Sequence, residues 1–161
     1  MLVNGTDLAI WQVLTVALPG KFMEYGFKQT SLNLSSDIGG INFTLLEPLV
    51  YQMKSGKTIR ATTGTVTDGV SIPRFARNII ERVGSLFYAG IIHDSAYKDT
   101  LEVLDADGGW SKFTMNEDQA DDLIQEAAQS LGASELESVT IHDALHLFGW
   151  RAFNDDRKRT T

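Results

Sequence analysis

Three histidines occur in this chain, and the first stands in the run Ile91-Ile92-His93-Asp94-Ser95-Ala96-Tyr97. A histidine can take up and return a proton near neutral pH, and a carboxylate nearby can orient it or hold a cation. Residues four apart on a helix share a face, so His93 and Tyr97 are expected to point the same way. Asp94, one position on, is turned by about 100° around the axis and serves the adjacent volume. The same run also suits a core histidine bonded to a neighbour, with the aspartate in water. The rest of the chain decides between the two, by whether it brings a second carboxylate to His93.

The element that carries this run is expected to be a helix over 85–100, opened by Gly84 and capped by Ser85. Leu86, Ala89, Gly90, His93, Ala96 and Tyr97 make one stripe along it. Ala89 and Gly90 are small enough to let another backbone approach one turn before His93. A second helix is predicted over 116–131, with Asn116 as its cap and Glu117 and Asp118 in an acidic first turn. Its apolar positions Ala120, Ile124, Ala127, Ala128 and Leu131 fall on one face, and Asp121 falls on the same face. Asp122 sits instead with Asp118, Gln125, Glu126 and Gln129 on the wet side. A carboxylate on a buried face needs a partner, because an unpaired buried charge is costly. His93 and Tyr97, on the preceding antiparallel helix, are the natural partners of Asp121.

Other candidates are weaker. A third helix, predicted over 134–153 after Gly132, carries His142 and His146 one turn apart, a spacing that can bind zinc. Zinc peptidases place a glutamate where this chain has Asp143, and no third ligand is evident, so this pair reads as structural or solvent-facing. Asp105 and Asp107 are spaced like the start of an EF-hand loop, but the twelfth position holds Asn116 where a glutamate is required. The stretch Thr67-Asp68-Gly69-Val70-Ser71-Ile72-Pro73 is different. A backbone bent at Gly69 can aim carbonyl or amide groups at a ligand, with Asp68 beside it. Equally, Asp68 and Ser71 can hydrogen-bond the turn and cap a short helix over 74–82, which Pro73 would start.

The first forty residues carry no functional pattern and are expected to be an arm or packing segment. Residues 8–14 suit a short helix or a buried strand, and the serines and glycines from Ser35 to Gly40 suit a loop. Strands are predicted over 41–45, 49–53 and 58–63, with Lys54-Ser55-Gly56-Lys57 as a hairpin turn. Turn chemistry at 105–110 points to a two-stranded flap or an irregular loop. The fold class is therefore α+β: a small antiparallel sheet, then a helical half built on the antiparallel helix pair 85–100 and 116–131. One domain is expected over 41–153, with 154–161 as a polar tail.

Composition narrows the function classes. With 161 residues the chain can bury a core without staples, and it has no cysteine, so neither disulfides nor thiolate metal sites are available. A net charge of −7 argues against a broad nucleic-acid-binding surface. The start lacks the basic region of a secretory leader, so none is expected. The apolar run from Leu8 to Leu18 is too short to span a bilayer, so no transmembrane segment is expected.

From about Asn42 to Trp150 the chain resembles an uncharacterised family common in bacteriophage and prophage genomes. The blocks that carry the likeness are Glu47-Pro48-Leu49-Val50-Tyr51, Thr67-Asp68-Gly69-Val70-Ser71-Ile72-Pro73, His93-Asp94-Ser95-Ala96-Tyr97 and Ala120-Asp121-Asp122-Leu123-Ile124. The resemblance implies a phage-encoded protein, made in the host cytoplasm and associated with other virion proteins, and supplies no activity. A second resemblance supplies one. The pattern His-Asp-x-x-Tyr followed by Ala-Asp is similar to the phospholipase A2 site, closest to the cysteine-free version in parvovirus capsid proteins. It implies His93 as the general base that activates water, Asp121 as the group that orients His93, and Tyr97 as the residue that fixes Asp121. It also implies Ca²⁺ on Asp94, with the loop at Asp68 and Gly69 as the remaining candidate ligands, polarising a phospholipid or other envelope ester. The loop departs from that pattern, because Gly69 is alone where those enzymes have several glycines.

Three readings follow. The chain is an esterase acting on the cell envelope during penetration or lysis. Otherwise it is a virion or assembly protein in which the His-Asp-Tyr cluster locks two helices. A metal-dependent phosphohydrolase with an HD pair is disfavoured, because that site needs a histidine upstream of His93.

Overall fold

The structure, a computed structural model, describes residues 12–17, 24–37, 42–67, 86–149, 153–155 and 158. Among the described residues the regular elements of the first half are strands and those of the second half are mainly helices, an α+β arrangement of two antiparallel sheets followed by a helical half.

The strands are β1 (Gln12–Ala17), β2 (Gly26–Phe27), β3 (Ser31–Ser36), β4 (Phe43–Leu45), β5 (Leu49–Gln52), β6 (Thr58–Ala61), β7 (Val66–Thr67), β8 (Leu101–Leu104) and β9 (Trp110–Lys112). One sheet has the order β1-β3-β4-β7 and the other β2-β5-β6-β8-β9. The three strands expected from the sequence over 41–63 are present but divided, β4 in the first sheet and β5 and β6 in the second. Gln29 joins the two near Pro48: its amide donates to Pro48 O at 2.6 Å and accepts from Val50 N at 3.0 Å.

Strand alternation chooses the core. Leu49 and Tyr51 on β5, and Ile59 and Ala61 on β6, are the buried positions of their strands. The register sets Tyr51 opposite Ile59 and Leu49 opposite Ala61, so all four lie on one face. Ser35 and Ser36, expected in a loop, complete β3, where Leu32 and Leu34 are fully or almost fully buried. The segment over 101–112, expected as a flap or loop, is a hairpin whose first strand pairs with β6 and so extends the second sheet. Its turn uses Gly108 at φ +86°, with Asp105 and Asp107 bonded to Ser111 and Gly109. Those two aspartates serve the turn.

The helices among the described residues are α1 (Leu86–Tyr97), α2 (Glu117–Ser130) and α3 (Glu135–Phe148). The sequence suggested one buried stripe on α1, yet ten of its twelve residues are buried. The reason is position: α1 packs against β6 and β8 on one side and α2 on the other, and a helix covered all round is apolar all round. Asn116 starts α2 with a capping box that includes Gln119, and Ser134 starts α3 in the same way with Glu137. Gly132, at φ +98°, turns the chain between them, where a side chain would be strained.

The face of α2 is fixed to the second sheet by Glu126. Its Oε1 accepts from Tyr51 Oη at 3.0 Å and from the backbone N–H of Lys54 at 2.9 Å. This contact sets the rotation of α2, and with it the direction of Asp121 five positions earlier.

Candidate functional site

His93 and Tyr97 lie one turn apart on α1 and face α2, as their spacing requires, with ring centroids 4.1 Å apart. Asp121, in the second turn of α2, meets both. His93 Nε2 is 3.2 Å from Asp121 Oδ1, and Tyr97 Oη donates to the same oxygen at 2.7 Å. Asp121 is fully buried and His93 is 4% exposed, so this polar group is enclosed between two helices.

Enclosure decides the electrostatics. Burial raises the pKa of the Tyr97 phenol well above the ordinary tyrosine value, and the hydrogen bond it donates to Asp121 and that carboxylate's charge raise it further. Tyr97 therefore stays protonated and remains a donor to Asp121. Glu117, in the first turn of α2, also has a raised pKa. Desolvation is the larger cause and the charge of Asp121 the next.

Asp121 Oδ2 is the anomaly. It is buried and, among the described residues, accepts no hydrogen bond, which is costly for a carboxylate oxygen. His146 Nδ1 on α3 lies 3.7 Å from it, beyond hydrogen-bond distance. The same nitrogen is 3.6 Å from Asp118 Oδ1.

Asp94 faces elsewhere. Its Oδ2 accepts from Thr67 Oγ1 on β7 at 2.6 Å, so α1 is fastened to the first sheet on this side. Lys98, one turn further along, donates to Val66 O at 3.0 Å. A cavity of about 400 Å³ opens here, lined by Thr62, Thr63, Thr65, Val66, Lys98 and Thr100. Asp68, Gly69, Ser71 and Pro73 lie outside the described residues, as does the short helix expected over 74–82. Among the described residues no group of three or more histidine, aspartate or glutamate side chains is arranged to hold a metal ion. Asp94 is one carboxylate, fewer oxygens than the roughly six to eight that calcium takes.

The structure thus brings together three of the sequence candidates, His93, Tyr97 and Asp121, and places Asp94 on the neighbouring face of α1. Two residues near the site were read otherwise from the sequence. Glu126, which helix spacing places on the wet face of α2, instead anchors that helix. His146, paired with His142 by spacing, does stack on it, with ring centroids 6.0 Å apart, yet also approaches Asp121. Nothing in a single sequence signals that approach, because it depends on how α3 crosses α2.

Residues 43–145 match a family described as a protein of unknown function, DUF1353. The chain belongs to this family. The match spans β4 to most of α3, so His93, Asp94, Tyr97 and Asp121 lie inside it, while β1, β2 and β3 precede it. It covers nearly all of the span, Asn42 to Trp150, over which the sequence resembles an uncharacterised family. No curated protein and no solved structure matches the chain. No helix of this DUF1353 protein, among the described residues, is long and apolar enough to cross a membrane.

Proposed function

We propose that the chain is a phage-encoded hydrolase whose His93–Asp121 pair activates water against an ester of the cell envelope, a phospholipid being the first candidate, during penetration or lysis. The observation that supports this most is the sharing of one buried carboxylate oxygen by His93 Nε2 and Tyr97 Oη. In this reading Nε2 carries its proton toward Asp121, which leaves Nδ1 as the basic nitrogen. Nδ1 takes a proton from water, and the hydroxide attacks the ester carbonyl. The imidazolium then returns that proton to the leaving alcohol, so ester and water yield an acid and an alcohol. Asp121 stabilises the imidazolium, and Tyr97 holds Asp121 in place. Asp94, with Asp68 and Gly69, would hold the calcium ion that the phospholipase resemblance implies, which would polarise the ester carbonyl. The cavity one turn along from Asp94 is of a size that suits part of a substrate.

One observation favours a second reading. His93 exposes 6% of its side chain, which also suits a virion or assembly protein in which the cluster only locks α1 to α2. Hydrolysis of a fluorogenic phospholipid in mixed vesicles separates the two. Wild type and His93→Gln are compared with added calcium and with chelator. Turnover that is lost in His93→Gln supports the hydrolase, and its loss with chelator assigns the metal. No turnover from wild type, with His93→Gln clearly less stable, establishes the architectural role.

A further inference from the structure

We propose that His146 is a positioning residue of this site: its Nδ1–H closes onto Asp121 Oδ2, so that the carboxylate is held from both sides. The inference rests on the proposed function only in treating His93 and Asp121 as a working pair.

Three observations carry it. Asp121 is fully buried and its Oδ2 accepts no hydrogen bond among the described residues, while Oδ1 is served twice. A buried carboxylate oxygen demands a donor, and His146 Nδ1 is 3.7 Å away. His146 is itself about half exposed, 54% of its side chain, so its ring is free to turn through the remaining distance without disturbing the core. Finally, the end of α3 already touches the other side of the same group. Gly149 sits three residues after His146, on the same face, and is packed so tightly on Tyr97 that a Cβ there would lie 2.5 Å from the phenol oxygen. The last turn of α3 therefore spans the site from Tyr97 to Asp121 Oδ2.

The surroundings of His146 are mixed. Asp118 Oδ1 on α2 competes for the same nitrogen at 3.6 Å, Glu117 lies close enough to feel its charge, and His142 stacks on it within α3 at an interplanar angle of 6°. Asp118 is exposed and can be satisfied by water. Asp121 Oδ2 is buried and depends on the protein. That asymmetry assigns the donor to Asp121.

The test is nitrogen–proton NMR of the imidazole groups in wild type, His146→Ala, His146→Gln and Asp118→Ala. Removing the donor concentrates the carboxylate charge on Oδ1, so the His93 Nε2–H resonance moves downfield in His146→Ala. His146→Gln, whose amide can donate, returns it most of the way. An unmoved His93 resonance in a folded His146→Ala overturns the proposal. If that variant does not fold, Asp118→Ala decides. A slowly exchanging His146 Nδ1–H that persists without Asp118 supports the contact with Asp121, and its disappearance assigns the proton to Asp118 and overturns it. None of these readouts depends on ester hydrolysis, so a failure here is distinct from a failure of the proposed activity.

Discussion

The phenol of Tyr97 reaches the same oxygen of Asp121 that faces His93, and reaches it at 2.7 Å, closer than the imidazole at 3.2 Å. The tyrosine thus makes the shorter of the two contacts to the carboxylate. Two residues one turn apart on α1 divide the work of holding and using a single oxygen on α2.

Tyr97→Phe tests the holding half. It removes only the hydroxyl, and leaves Asp121 with one donor. The expected cost is roughly 1.5–3 kcal/mol, the range for a hydrogen bond to a charged group. Urea denaturation with an unchanged slope checks it. If the proposed hydrolysis is observed, kcat is expected to fall in this variant while KM changes little, because in that reading Tyr97 acts through Asp121.

Asp121→Ala is the harsher change, since His93 Nε2 and Tyr97 Oη both lose their acceptor in a buried place. A loss of about 3 kcal/mol or more is expected. Thermal unfolding measures it. A variant as stable as wild type would mean that the two helices are held by their apolar contacts alone.

Gly149→Ala should be destabilising although the substitution is small. The new Cβ would lie 2.5 Å from Tyr97 Oη and 2.6 Å from Leu145 O. Overpacking of this kind costs roughly 1–3 kcal/mol. A double variant with Tyr97→Phe recovers part of that loss, because the obstructing oxygen is gone. Additive losses would count against the contact.

The tyrosines give the pH dependence. Burial raises Tyr88 to about 12, with Glu47 adding to it, and burial raises Tyr51 and Tyr97 further, helped by Glu126 and Asp121 respectively. Each folded value exceeds the unfolded value of about 10. The stability these groups contribute is therefore fully present below pH 10 and is lost as pH climbs toward and past 12. Phenolate absorbance should rise together with the loss of near-ultraviolet dichroism. Ionisation of these three tyrosines while the fold persists would contradict it.

Much of the helical half can be read from residue spacing. His93 and Tyr97 share a face because they are four apart, and Asp121 faces inward because it falls among Ala120, Ile124 and Ala128. The caps at Asn116 and Ser134 are equally local, a side chain meeting a backbone N–H three residues on. The strand half is less legible. Alternation identifies β5 and β6, but it does not say that β4 belongs to a different sheet, nor that β8 pairs with β6. Pairing partners are chosen by shape and burial over long separations, which short apolar runs do not encode individually.

What the sequence determined by itself was therefore the class of fold and the membership of the His93, Tyr97 and Asp121 group, since helix periodicity orients side chains over a few residues. Only the tertiary structure decided the rest. It made α1 buried all round, set Thr67 on Asp94, fastened α2 through Glu126 and left Asp121 Oδ2 facing His146. Each of these depends on how whole elements cross, and a crossing is set by the packing of many side chains at once.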